Sequence, residues 1–259
     1  MADSAARARR SRDLYPTSTI MKRLPCFAVL LASIACLALL HGDDTPPAKK
    51  TPKEALQAFN DLIGSWKGTG QPQVGTKEER DKNFWQETIA WEWQFKDKDT
   101  WLKAKFEKSK YFDGGELRYL PDGDKYELTL RNVNKESLVF VGQLKDKRLT
   151  LDRTDETKKE TQRIVVSLLH WNRYLFRYEV KADEKPSFTA LYQVGATKEG
   201  EPFAGGDGKP VCIVSGGLGT IPVTYKGQTY YVCCSGCRDA FKDDPETFIK
   251  EFEAKKAKK

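Results

Sequence analysis

From Gly64 to about Val194, apolar and polar side chains alternate residue by residue, and few architectures accommodate that pattern over so long a stretch. Trp91, Trp93 and Phe95 alternate with Glu92 and Gln94. Tyr126, Leu128 and Leu130 alternate with Glu127, Thr129 and Arg131, and Phe176, Tyr178 and Val180 with Arg177, Glu179 and Lys181. A period of two belongs to a strand with one buried face. Turn-forming runs at "DGG", "PDGD", "NVNK", "KDK" and "RTDETKK" divide the stretch into about ten short strands. Consecutive antiparallel strands with one apolar face close most simply into an up-and-down barrel, which leaves no exposed edges. A two-sheet sandwich is the competing arrangement. The expected class is therefore mainly β, a closed barrel spanning residues 53–195.

Before the first strand, Thr51 and Pro52 suit an N-cap and first helical position, and Leu56, Phe59, Leu62 and Ile63 recur at helical spacing. This short helix runs directly into Gly64-Ser65-Trp66. A helix followed by Gly-x-Trp at the first strand resembles the lipocalins and their relatives, in particular lipocalin-like domains of secreted bacterial proteins. The resemblance implies that Trp66 plugs the closed end of the barrel, although no arginine is identifiable to pack on it as in lipocalins. Such barrels enclose one small apolar ligand or are filled by their own side chains. Trp85, Trp91, Trp93, Trp101 and Trp171 are available for either role. His170 is the one histidine beyond the leader and a candidate axial haem ligand, as in haem-binding barrels of similar shape, the other reading being a structural or exposed histidine. No nucleophile is paired with an obvious base, so the expected class is a binding protein and not an enzyme.

Residues 196–208, Gly-rich and without periodicity, read as a linker to a last module at 209–259. There "KPVCIVSGG" precedes a hairpin "VTYKGQTYYV" turning at Lys226-Gly227, then "CCSGC", then a last helix capped by Asp244 with Pro245 first and Phe248, Ile249 and Phe252 on its apolar face. So small a unit needs a staple or a docking partner. Cys212 is separated by twenty residues from Cys233, which is separated by three from Cys237. Residues 209–252 resemble the YHS domain, also described as the TRASH-type metal-binding module, in these cysteines, in Tyr225 to Gly227, in Tyr230-Tyr231, in Phe241 and in Asp244-Pro245. The resemblance implies a soft transition metal, zinc or copper, held on Cys212, Cys233 and Cys237, with a role in metal trafficking, resistance or sensing.

The chemistry agrees: thiolates from a loop and a knuckle can converge on one ion, and soft sulfur selects zinc or copper(I). The segment departs from the family in having no histidine, Ile213 where several relatives carry proline, and Cys234 where many carry serine. Cys234 is an optional fourth ligand. Its neighbour Cys233 makes simultaneous binding to one tetrahedral ion awkward. Disulfides are the alternative, with Cys212 bonded to Cys237 or Cys234. Redox catalysis through Cys234 and Cys237 ranks behind both, because the thioredoxin βαβ setting is missing.

The compartment bears on that choice. Lys22 and Arg23 precede an apolar run from Phe27 to Leu40, followed by small and polar residues, which is the layout of a secretory signal peptide at 21–42. The run is too short to span a bilayer. The Arg-rich residues 1–20 read as an extension ahead of a start at Met21, or as a cytoplasmic arm. "SIAC" ending at Cys36 loosely resembles a lipobox but lacks its leucine. A leader of 1–44 and a Pro/Lys-rich linker at 45–52 would leave a secreted or periplasmic chain. The net charge of +7 is largely leader, since residues 1–41 hold six bases against two acids. No nucleic-acid partner is implied, "KKAKK" reading as a solvated helix end. The expected partners are a metal ion and a small apolar ligand in the barrel.

Overall fold

The computed structural model describes residues 49–200 and 210–257. The signal peptide, both start positions, Cys36 and most of the linker after the barrel fall outside the described residues.

Thr51 opens a helix, α1 (Pro52–Leu56), with a capping box: its hydroxyl accepts from the Glu54 N–H while the Glu54 carboxylate accepts from the Thr51 N–H. The chain tightens into a 3-10 turn over Gln57–Leu62, burying Phe59 and Leu62. At Gly64 φ is 118°, a conformation that side chains disfavour, and there the chain swings into the first strand. Glycine in the Gly-x-Trp pattern is thus required by the bend.

Ten strands follow: β1 (Gly64–Pro72), β2 (Trp85–Lys96), β3 (Asp99–Glu107), β4 (Phe112–Leu120), β5 (Lys125–Asn132), β6 (Ser137–Lys145), β7 (Arg148–Asp155), β8 (Glu160–His170), β9 (Arg173–Ala182) and β10 (Thr189–Lys198). Each pairs antiparallel with its predecessor, and β10 pairs with β1, so the sheet is a closed up-and-down barrel and not a sandwich. Two details differ from the expectation. "DGG" lies inside β4, where a bulge between Phe112 and Gly114 absorbs the glycines, and the turn falls earlier, between β3 and β4. An exposed helix, α2 (Lys77–Lys82), interrupts the β1–β2 connection, started by a capping box between Thr76 and Glu79.

Alternating residues fill the interior, among them Ile89, Leu102, Leu128, Phe140, Leu151 and Ile164, all essentially inaccessible. Trp66 is buried beneath the N-terminal helix, donating from Nε1 to the Leu62 carbonyl at 2.7 Å and meeting Tyr174 edge-on. Lys198 stands over its ring at 5.3 Å, a cation where lipocalins place arginine. Elsewhere Tyr192 is stacked between Tyr111 and Tyr178 at 4.2 and 5.3 Å, and burial pushes its phenol pKa well up. The void that Tyr111 and Tyr192 line together with Trp85, Glu87 and Trp91 is about 10 Å³, room for one water. His170 ends β8 exposed, its Nδ1 2.8 Å from Asn172 Oδ1, away from that void.

The C-terminal module is a hairpin, β11 (Ile221–Tyr225) and β12 (Gln228–Val232), followed by α3 (Ser235–Asp243) and α4 (Pro245–Ala257). The Asp244 side chain accepts from the Thr247 N–H at 3.2 Å, and Phe248, Ile249 and Phe252 turn inward. Module and barrel lie within one compact unit, Lys49–Lys259. Among the described residues no helix is long and apolar enough to cross a membrane.

Candidate metal centre

Two segments supply the sulfurs. The loop starting at Cys212 closes on itself: the Cys212 N–H donates to the Gly217 carbonyl at 2.7 Å, and the Gly216 N–H to the Cys212 carbonyl at 2.9 Å. The hairpin then carries the chain back against it. Ile213 N–H donates to the Tyr231 carbonyl and Thr220 N–H to the Val232 carbonyl, each at 2.9 Å, so the loop lies beside the strand that ends at Cys233. After Cys233 the backbone is extended at Cys234, the N-cap of α3, and the helix begins at Ser235. One helical turn therefore brings Cys237 back towards Cys233, their sulfurs 3.5 Å apart.

The result is a cluster in which the Sγ atoms of Cys212, Cys233 and Cys237 all lie within 4.8 Å of one another. Cys212 and Cys237 are fully buried and Cys233 is 8% exposed. Cys234 falls outside this group. Its sulfur is 3.9 Å from that of Cys233 but accepts the backbone N–H of Trp93, a barrel residue, at 3.4 Å. All four are free thiols, and 3.5 Å is well beyond the S–S bond of about 2.05 Å.

The surroundings favour thiolates at some positions and resist them at others. The Cys212 pKa is held far down by hydrogen bonds from the Cys233 and Cys237 thiols, helped by the Ser215 hydroxyl and N–H. Cys234 is lowered likewise by Cys233 and Cys237, with the Cys237 and Trp93 N–H groups adding to it. Cys233 is raised because it donates to its charged neighbours Cys212 and Cys234, and Cys237 is raised first by burial. The four thiols thus titrate as one coupled group, with hydrogen bonds favouring the charged form at Cys212 and Cys234 and opposing it at Cys233 and Cys237. Amide donors aimed at two of the sulfurs, and an all-sulfur donor set shut away from water, fit a soft metal ion.

The cysteine spacing points to Cys212, Cys233 and Cys237; Ser215 carries a weaker signal, and Asn60, Gln57 and Trp93 carry none. Fully buried Ser215 places its N–H 3.4 Å from Cys212 Sγ and its hydroxyl 3.4 Å from Cys233 Sγ. Its carbonyl accepts from Gln57 Nε2 at 3.0 Å and Asn60 Nδ2 at 3.1 Å, both in the turn that follows α1. A serine three residues after a cysteine in a glycine-rich loop was a readable hint. The partners beyond it, some 150 residues away in the chain, were not.

The YHS domain family model matches residues 221–251, which span the hairpin, the knuckle with Cys233 and Cys237, α3 and half of α4. The C-terminal segment is thus a YHS domain, preceded by a ten-strand barrel of lipocalin-like build, and Cys212 lies ahead of the matched span. Among solved structures, one described as EF1p2_mFAP2b bound to DFHBI is 10% identical, with a TM-score of 0.23, covering 55% of this chain and 98% of that one. At that score the likeness carries no argument. No curated protein matches the chain.

Proposed function

We propose that the protein is an extracytoplasmic binding protein that holds one soft metal ion on Cys212, Cys233 and Cys237, and serves metal trafficking, resistance or sensing and not catalysis. The observation that carries this reading is the convergence of three buried sulfurs within 4.8 Å, from a loop and a knuckle twenty residues apart. The YHS match supports it. Copper(I), soft and satisfied by few sulfur ligands, suits the set better than zinc, which in structural sites takes four. Ser215 would steady the thiolate charge on the loop side, and the N-terminus of α3 on the knuckle side. Cys234, turned towards the barrel, stays outside the ligand set. The alternative, a carrier of haem or an apolar ligand, has less support, since the barrel void is about 10 Å³ and His170 is exposed.

The test is titration of the fully reduced, oxygen-free protein with copper(I) against a chromogenic chelator, and separately with zinc. One tightly held copper(I) per chain is expected. No uptake by protein with four titratable thiols would remove the reading. The extracytoplasmic address rests on the signal-peptide pattern, so intact mass of the exported protein should place the new N-terminus between Gly42 and Thr45. A mass retaining residues 1–41 would overturn it.

A further inference from the structure

The thiolate cluster is not completed within the C-terminal module. β1 begins at Gly64, opposite Trp91, so the backbone of Trp93 on β2 extends past the last residue able to pair with it on that side. The module occupies the open position. The Trp93 N–H donates to Cys234 Sγ at 3.4 Å, and α3 lies so close at Gly236 that an added Cβ would stand 1.6 Å from the Trp93 carbonyl oxygen. The Trp93 indole meanwhile donates from Nε1 to Asn60 Oδ1 at 3.2 Å. That bond sets which way the Asn60 amide faces, turning Nδ2 towards the Ser215 carbonyl. Ser215 in turn presents its N–H and hydroxyl to Cys212 and Cys233.

One barrel residue thus touches both halves of the site, the knuckle through its backbone and the cysteine loop through Asn60. We propose that Asn60, oriented by Trp93 and assisted by Gln57, is a positioning residue for the thiolate centre, so that barrel and module together form one metal-binding unit whose affinity the barrel sets. The inference rests on the metal-binding reading and deepens it. The physical ground is that a loop with its carbonyl held by two amide donors cannot rotate its N–H and hydroxyl off the sulfurs. Release of that carbonyl lets Ser215 turn its N–H and hydroxyl away from Cys212 and Cys233, and the thiolate charge that holds the ion loses those donors. Outer partners of this kind are worth about 10- to 100-fold in metal affinity.

The experiment compares full-length wild type with Asn60→Ala, Gln57→Ala and Lys53→Ala. Lys53 joins barrel side to module through Glu251 at 3.0 Å and the Phe248 ring at 4.8 Å, and touches none of the cysteine residues. Copper(I) affinity is read by chelator competition, and the copper off-rate and the metal-free melting temperature are measured in parallel. Asn60→Ala should weaken copper(I) binding by about 10- to 100-fold and speed its release. Gln57→Ala should weaken it by a smaller factor. Lys53→Ala should bind copper(I) within twofold of wild type even where its melting temperature falls as far. Affinity unchanged in Asn60→Ala, or lowered equally by Lys53→Ala, overturns the positioning role while leaving the metal site intact. If Asn60→Ala does not fold, Gln57→Ala decides: a loss of threefold or more supports the proposal and no loss overturns it. A wild type that takes up no copper(I) removes the metal reading, and this inference with it.

Discussion

Cys233 and Cys234 are neighbours in the chain with different surroundings: Cys233 faces Cys237 and the Ser215 hydroxyl, while Cys234, its sulfur 3.9 Å away, also takes the Trp93 N–H from the barrel. The extended backbone at Cys234 turns its side chain enough away from that of Cys233 to reach the barrel strand. Cys212→Ser, Cys233→Ser and Cys237→Ser should each abolish tight copper(I) uptake, whereas Cys234→Ser should keep most of it. Equal losses at all four, measured by chelator competition, would mean a four-thiolate site. Gly236 tests the docking that turns Cys234 outward. Alanine there gains roughly 0.5–1 kcal/mol of helix propensity, but its Cβ would meet a backbone oxygen at 1.6 Å that cannot rotate away. The clash outweighs the gain, so Gly236→Ala should destabilise by about 1–3 kcal/mol in denaturant melts. A neutral or stabilising result would contradict the close approach. Cysteine spacing made three sulfurs legible in the sequence because the loop, hairpin and helix that gather them are local. Asn60 and Trp93 were illegible because their bearing on the site arises only when distant segments dock.

Among the elements, the barrel strands were the most legible, because side chains on a strand with one buried face must alternate and only β-structure repeats every two residues. "DGG" carries a turn signal yet lies inside β4, because glycines that mark turns also sit at bulges. α2 is hard to read from the sequence although Thr76 and Glu79 spell its capping box, because six residues with no buried position leave no apolar period to detect. Trp66 ties the first strand to the helix before it through the Leu62 carbonyl, Tyr174 and Lys198. Trp66→Ala removes a wholly buried indole from under that helix and should cost about 3–5 kcal/mol in denaturant melts. A loss below about 1 kcal/mol would mean that the indole contributes no packing at that end of the barrel.

At the scale of the whole molecule, the module is too small to bury much surface alone, and it meets the barrel through α3 on β2, through Ser215 on the turn after α1, and through Lys53 with Glu251. Barrel and module therefore have reason to unfold together. A ligand that binds only the folded state adds stability of RT ln(1 + [L]/Kd), about 2.7 kcal/mol at a hundredfold excess over Kd. If the ion bound only a detachable module, the barrel would melt where it does without metal. With the cysteine loop fastened to the barrel turn, the same free energy is shared by both. Copper(I) at that excess should raise the melting temperature of the barrel, followed by its tryptophan signal, by roughly 5–10 °C for a unit of this size, in a single transition coincident with exposure of the thiols. Two separated transitions, with only the thiol-reporting one shifted by copper(I), would show that the contacts through Ser215 and Trp93 do not couple the two parts.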